Sequence, residues 1–257
     1  VKTLRLDGSK ADDLEVAAEL LRHGGIVAIP TETVYGLAAD ATNPAAVERI
    51  FSAKGRPSHN PLIVHVSDAL MAAQYGHWPD RADELARQFW PGPLTMVVAS
   101  PRGIAPAVLA GGDTVGLRAP AHPIARALIV LAGKPLAAPS ANRSNALSPT
   151  SADAVLDTLD GRIDAVVDGG PCEVGLESTV LDLSHGRPRV LRHGVLTAEE
   201  LGAESYPPTA LAMGSVLRSP GQLRRHYAPS IPLLKRDTDL SIAQEDALLS
   251  FTELSAV

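Results

Sequence analysis

The sequence predicts an α/β (α+β) domain built on one mixed β-sheet. Three observations carry this expectation. Short apolar runs alternate with stretches in which apolar residues recur at helical spacing, the pattern of a sheet flanked by helices. Between Ile163 and Leu191 three strand-like runs follow one another without a helix, so part of the sheet is antiparallel. A chain of 257 residues that is 45% apolar and 20% charged can bury a core without disulfide or metal staples.

The elements follow in order. Lys2 to Leu6 alternates and reads as a strand. Ala11 to Arg22 places Leu14, Ala17, Ala18 and Leu21 on one helical face, and Gly24-Gly25 ends it. Ile26 to Ile29 is wholly apolar, a buried strand stopped by Pro30. Asn43 is an N-cap and Pro44 a first-turn residue, opening a helix to about Ala53. Leu62 to Val66, Leu94 to Ala99, Val115 to Arg118 and Leu136 to Ala138 read as strands; Arg81 to Phe89 and Pro123 to Ala132 read as helices. Thr150 to Asp153 is a capping-box pattern opening a helix to about Leu159. Ile163 to Val167, Ser178 to Leu183 and Arg189 to Leu191 are strands, and Thr197 to Glu200 is a second capping-box pattern. The domain is expected to end near Leu201. Ser205 to Pro232 holds five prolines and reads as a linker.

Composition excludes several function classes. Cys172 is the one cysteine, so no internal disulfide forms. The longest apolar run, Ala127 to Ala132, is far short of the ~18 residues of a membrane helix. The N-terminal stretch lacks a signal peptide's apolar segment, so a cytoplasmic location is expected. A net charge of −6 and nine aromatic residues disfavour a globally basic nucleic-acid binder with stacking platforms, and leave a local basic pocket open. Phosphate-loop, dinucleotide, zinc-protease and nucleophile-elbow signatures are absent, and no dedicated metal-ligand set is visible.

The polar chemistry is concentrated in loops. Pro30 to Gly36 (Pro-Thr-Glu-Thr-Val-Tyr-Gly) follows a buried strand, where open α/β sheets bind ligands; it also reads as an ordinary strand-to-helix turn. Ser52 to Leu62 carries Lys54 and Arg56, a point charge and a planar fork suited to polyphosphate. A solvated basic loop is the plainer reading. Arg118 ends a strand of buried character and needs an anionic partner, from the protein or from a ligand. Ala138 to Ser148 is rich in hydroxyls and amides that can cradle phosphate, and equally reads as a surface loop. Glu177 and Ser178 stand at the mouth of a strand, and Ser219 to Pro229 is a basic stretch in which Tyr227 is either a packing anchor or a lid residue.

Together these segments resemble the YrdC-like family of threonylcarbamoyl-AMP synthases. The resemblance spans about residues 10–230. It runs through Pro-Thr-Glu-Thr-Val-Tyr-Gly, Lys54-Gly-Arg-Pro with Asn60-Pro-Leu behind it, Trp90-Pro-Gly-Pro-Leu-Thr95, Arg118 with Pro120-Ala-His-Pro123, Pro139-Ser-Ala-Asn142 and Glu177-Ser-Thr179. Each is weak alone; all in this order are specific. Arg224-Arg-His-Tyr-Ala-Pro229 resembles the linker of the longer, two-domain branch. The organisation implied is a YrdC-like catalytic domain over 1–204, a Pro-rich linker over 205–232, and a tail or the start of a truncated second domain over 233–257.

The resemblance implies a twisted mixed sheet around a concave basic pocket. It implies synthesis of threonylcarbamoyl-AMP and pyrophosphate from L-threonine, bicarbonate or carbon dioxide, and ATP, with hand-off to a separate tRNA transferase. L-threonine would be held by Thr33, His65, Arg118, the backbone at Ala138, and Ser178. ATP would be held by Arg56, Asn60, Thr114, Ser140, Asn142, Ser148, Arg192 and Tyr227, with Lys54 and Arg56 meeting the charge that develops during transfer. Arg118 is expected to take the threonine carboxylate in a two-point grip. Mg²⁺ is expected to arrive with ATP and keep several waters. A weak RNA contact of the enzyme is also expected. The rival readings are a non-catalytic RNA-binding module, a threonine or nucleotide sensor of the same fold, and a carbamoyl-transfer domain of the hydrogenase-maturation type.

Overall fold

The computed structural model describes residues 2–99, 101–205 and 217–220. The strands are β1 (Leu4–Asp7), β2 (Val27–Ile29), β3 (Gly36–Asp40), β4 (Ile63–His65), β5 (Leu94–Ala99), β6 (Thr114–Arg118), β7 (Leu136–Ala137), β8 (Ala165–Asp168), β9 (Thr179–Asp182), β10 (Arg189–Arg192) and β11 (Glu204–Ser205). The helices are α1 (Ala11–Arg22), α2 (Pro44–Lys54), α3 (Ala69–Tyr75), α4 (Asp80–Phe89), α5 (Pro106–Leu109), α6 (Pro123–Ala132) and α7 (Ala152–Leu159). The strands form one sheet in the order β1-β8-β2-β3-β7-β4-β6-β5-β9-β10-β11. β2/β3, β3/β7, β7/β4, β6/β5 and β9/β10 are antiparallel, while β1/β8, β8/β2, β4/β6, β5/β9 and β10/β11 are parallel, so the sheet is mixed.

Capping chemistry sets the helices where the sequence places them. Asn43 accepts hydrogen bonds from the Ala45 and Ala46 amides at the start of α2, and Gly55 closes it in the left-handed region (φ 59°). His122 caps α6 with Pro123 at the first position, and Gly133 (φ 65°) ends it. Three local expectations change. The segment after Pro30 returns as antiparallel β3 rather than leading into a helix; its Gly-Leu-Ala-Ala-Asp is buried throughout, and burial overrides the weak strand propensity of small residues. Ser151, not Thr150, caps α7, because the Thr150 carbonyl is taken by the Cys172 amide and Asp153 by Arg5. The Thr197–Glu200 box forms reciprocally but supports only a turn, which ends at Gly202 (φ 56°). α3 went unread in the sequence; it is short and begins at Asp68, whose carboxylate accepts from the Met71 amide.

Register determines which side chains share a face. Paired residues point the same way, and neighbours along a strand point oppositely. Val64, Leu117, Ala39 and Ala137 therefore share one face, which packs on α2, α5 and α7. Ala38, Leu136 and Ala138 lie on the other face, beneath α1 and α6. Those two helices cover only half of that face. Over β4, β6, β5, β9 and β10 the same face carries Ile63, His65, Arg118, Thr95, Val180 and Arg192, with no helix above it among the described residues. Ile63, Val97 and Val180 form a small apolar floor there. Residues 217–220 cross part of this open half: Arg218 pairs with Asp182 at 3.0 Å, and Pro220 reaches the cleft described next.

Candidate functional site

The cleft lies on the uncovered half of the sheet face rather than only at strand ends, which corrects the location expected from open α/β sheets. It is lined by Thr31, Thr33, Val34, Gly36, Arg56, Ile63, His65, Arg118, Ala138, Pro139, Ser140, Glu177, Ser178, Arg192 and Pro220. Three arginines and one carboxylate therefore face one concavity, and with Glu32 behind Arg118 the excess charge is positive.

Its walls are interlocked loops. The Val174 and Gly175 amides donate to the Glu32 and Thr33 carbonyls, the Tyr35 amide to Pro149, and the Ala141 amide to Tyr35. Tyr35 is fully buried; its hydroxyl donates to the Gly170 carbonyl and accepts from the Gly169 amide, and burial pushes it up to about 12. Two glycines are dictated by close approach. A Cβ on Gly194 would stand 2.4 Å from the Glu177 carbonyl oxygen and 2.5 Å from the Thr179 nitrogen, and one on Gly92 would stand 2.3 Å from the Phe89 carbonyl oxygen. Gly194 thus lets the chain after β10 lie directly against the mouth of β9.

Arg118 is 3% exposed and already has a protein carboxylate. Its Nη2 donates to Glu32 Oε1 at 2.6 Å and to Thr33 Oγ1 at 3.0 Å, and its Nε to the Gly92 carbonyl at 3.2 Å. Nη1 is the nitrogen without a protein acceptor among the described residues. The expected two-point grip on a ligand is therefore corrected: the fork is taken up by Glu32 and Thr33, and Nη1 alone remains for a ligand.

His65 is paired in register with Arg118 and is 3% exposed. Neither ring nitrogen has a partner among the described residues. Burial, and then the Arg118 charge, hold it well below the usual imidazole range, so it is neutral. This predicts an acid sensitivity. Below about pH 6.5 the unfolded chain takes up a proton that folded His65 refuses, so stability falls as pH falls, by about 1.4 kcal/mol per unit until the folded value is reached. His65→Asn should flatten that fall in urea titrations between pH 7 and pH 5. Equal acid slopes in both proteins would contradict a buried neutral His65.

A second arginine is set in a similar way. Arg192 Nε donates to the Ser178 carbonyl at 3.1 Å and Nη2 to Ser178 Oγ at 2.9 Å, and Ser178 Oγ meets Thr95 Oγ1 at 2.8 Å. Glu177 Oε2 lies 3.6 Å from Arg192 Nη2, and Glu177 Oε1 accepts from Ser148 Oγ at 2.8 Å. Arg56 reaches back to the Asn60 and Pro61 carbonyls while lining the cleft.

The structure brings most residues expected from the sequence into or around the cleft. Thr33, Arg56, His65, Arg118, Ala138, Ser140, Ser178 and Arg192 line it. Lys54 does not. It is 2% exposed, and its Nζ donates to the Ser140 and Asn142 carbonyls, both at 2.5 Å. Asn60 and Asn142 are buried beside this loop system, each with an Oδ1 that has no partner among the described residues. Ser148 touches the cleft only through Glu177. Thr114 stands at the opposite end of β6 from Arg118, about 13 Å along the strand. Tyr227, and with it the 224–229 motif, lies outside the described residues. Reasoning from sequence did not assign Glu32, Glu177 or Thr31 to the site. The signal was their place inside the motifs already singled out.

These features define a class: a mixed-sheet α/β domain that carries a cationic, hydroxyl-lined cleft on one sheet face. The family model Sua5/YciO/YrdC, described as telomere recombination, matches residues 19–194. The chain is 48% identical over 223 residues to the threonylcarbamoyl-AMP synthase of Bacillus subtilis, covering 84% of this chain and 64% of that protein. It is 45% identical over 231 residues to the enzyme of the same name from Pyrococcus abyssi, covering 86% and 67%. Among solved structures it resembles P. abyssi Sua5 complexed with L-threonine, with TM-score 0.84 and 42% identity over 90% of this chain and 70% of that one. The chain belongs to the Sua5/YciO/YrdC family, and it spans about two thirds of the length of these curated relatives.

Proposed function

We propose that the chain carries the catalytic unit of a threonylcarbamoyl-AMP synthase, acting in the cytoplasm on L-threonine, bicarbonate or carbon dioxide, and ATP. One observation carries this reading: a single cleft joins Arg118, with Nη1 left for a carboxylate, to a second cationic region at Arg56, Arg192 and Ser140 suited to phosphate. The names of the relatives, and the L-threonine in the P. abyssi structure, support the same assignment.

In this reading Nη1 of Arg118 takes the substrate carboxylate, and Thr33, His65 and Ser178 surround its amine and hydroxyl. The neutral threonine amine attacks carbon dioxide. A C–N bond forms, and the amine proton leaves to solvent or bicarbonate. A carbamate oxygen then attacks the α-phosphorus in line. The new O–P bond forms as the bond to pyrophosphate breaks, and pyrophosphate keeps the electron pair. Such a reaction asks the protein mainly for positioning and charge stabilisation. Arg56 and Arg192 are the fixed cations nearest the phosphates. Glu177, which lines the cleft, would offer a hard oxygen donor to Mg²⁺ carried in with ATP, and the ion would offset charge on the phosphates. The product would pass to a separate tRNA-modifying transferase.

The test is pyrophosphate release from ATP, with and without L-threonine and bicarbonate. Release that requires both co-substrates is expected. Binding of ATP and L-threonine without release would replace the enzyme by a binding module. Salt-sensitive RNA affinity without either ligand would favour the RNA-binding alternative.

A further inference from the structure

We propose that Glu32 is a positioning residue, holding Arg118 so that Nη1 alone is offered to the ligand carboxylate. The inference rests on the reading of the cleft as an L-threonine site.

Glu32 is 8% exposed and uses both carboxylate oxygens. Oε1 accepts from Arg118 Nη2 at 2.6 Å, and Oε2 accepts from the Ala121 amide at 3.0 Å. Its own backbone is tied, since the Val174 amide donates to its carbonyl at 3.0 Å. The other constraints on Arg118 come from separate segments: Gly92 accepts from Nε, and Thr33 from Nη2.

Thr33 is itself oriented. Thr31 Oγ1 donates to the Val34 carbonyl at 2.7 Å, so in the 2.8 Å Thr31–Thr33 contact the proton belongs to Thr33. The order is Arg118 to Thr33 to Thr31 to Val34, every donor pointing away from the guanidinium. Such chains strengthen each member. Three of the five guanidinium N–H groups are thus directed into protein, and the two on Nη1 remain.

A carboxamide cannot replace Glu32. Glutamine has one acceptor oxygen, so its NH₂ group would oppose either Arg118 or the Ala121 amide. Glu32→Gln should therefore let the guanidinium turn. L-threonine affinity by calorimetry is expected to fall about tenfold or more, the scale of a charge-assisted hydrogen bond. ATP affinity and kcat at saturating threonine should stay within about twofold to threefold. In an Arg118→Lys background the same substitution should add less than about twofold, because Glu32 acts through Arg118.

Unchanged or tighter threonine binding by Glu32→Gln overturns the proposal, as does a tenfold loss in both backgrounds. Should Glu32→Gln not fold, Glu32→Asp decides, since it keeps the charge but is one methylene short. Weaker threonine binding with ATP binding intact supports the proposal, and equal binding overturns it. A wild-type chain that binds no L-threonine overturns the functional reading and this inference together, whereas a wild type that binds beside a variant that binds equally overturns this inference alone.

Discussion

Arg118→Ala is expected to remove L-threonine binding and to destabilise the fold at the same time. Both effects come from one side chain. Without the guanidinium, the ligand carboxylate loses its cation, and Glu32 becomes a buried carboxylate whose remaining donor among the described residues is the Ala121 amide. Removing one half of a buried ion pair costs about 3–5 kcal/mol. For a chain of this size that is a fall in melting temperature on the order of 10 °C. ATP affinity should change by less than about threefold, because Arg56 and Arg192 have their own anchors and a phosphate acts on them. The Arg118→Ala/Glu32→Gln double variant should regain part of the lost stability, since its buried carboxylate is gone, but no threonine binding. Calorimetry with each ligand and a thermal melt check this. Equal losses for threonine and ATP would sink the assignment of Arg118 to the carboxylate.

Lys54→Met should reduce turnover by about a hundredfold, the penalty for misplacing reacting groups by about 1 Å. In the proposed function the lysine serves the phosphate side without lining the cleft. It joins the last turn of α2 to the 138–148 loop: its ammonium holds the Ser140 and Asn142 carbonyls, and its own carbonyl accepts from the Ser144 amide. Methionine fills the volume but leaves the buried Asn142 carbonyl without its donor and the Ser140 carbonyl with the Asn142 amide in place of a charged partner, so the loop must move to rehydrate them. Ser140 moves with it. The ATP requirement should rise more than the threonine requirement. Burial, and then the Arg56 charge, press the Lys54 ammonium down to about 7, while Glu177 opposes them. Above that pH the clamp loses a proton and its charge. The ATP requirement of the wild type should therefore climb as pH passes 7, and that of Lys54→Met should not. Near-normal activity in the variant, measured as pyrophosphate release, would reduce Lys54 to a packing residue.

Particular elements show how far the sequence could be read. α2 and α6 were legible because their ends are local chemistry: Asn43 with Pro44, and Pro123 with Gly133. β3 was not, because nothing in Gly-Leu-Ala-Ala-Asp favours a strand until β2 and β7 flank it. The position of Thr150 shows the same limit at one residue: two adjacent hydroxyls could each cap α7, and the Cys172 amide, 22 positions away, decided between them. At the site, the family resemblance named Thr33, His65, Arg118, Ser178 and Arg192, and the fold gathers them in one cleft. Lys54 was legible as a charge but not as a clamp, because the carbonyls it serves lie 86 and 88 residues away.

The sequence by itself determined the alternation of elements, the caps that bound the helices, and the residue types at each loop after a strand. These depend on contacts within a few residues, where spacing alone decides what can touch. Tertiary structure decided which half of the sheet face stays uncovered and which N–H groups of Arg118 remain for a ligand. Glu32, Thr33 and Gly92 reach that guanidinium from 86, 85 and 26 residues away. Whether a buried charge is already satisfied depends on atoms a few ångströms off in space, and no local pattern records them.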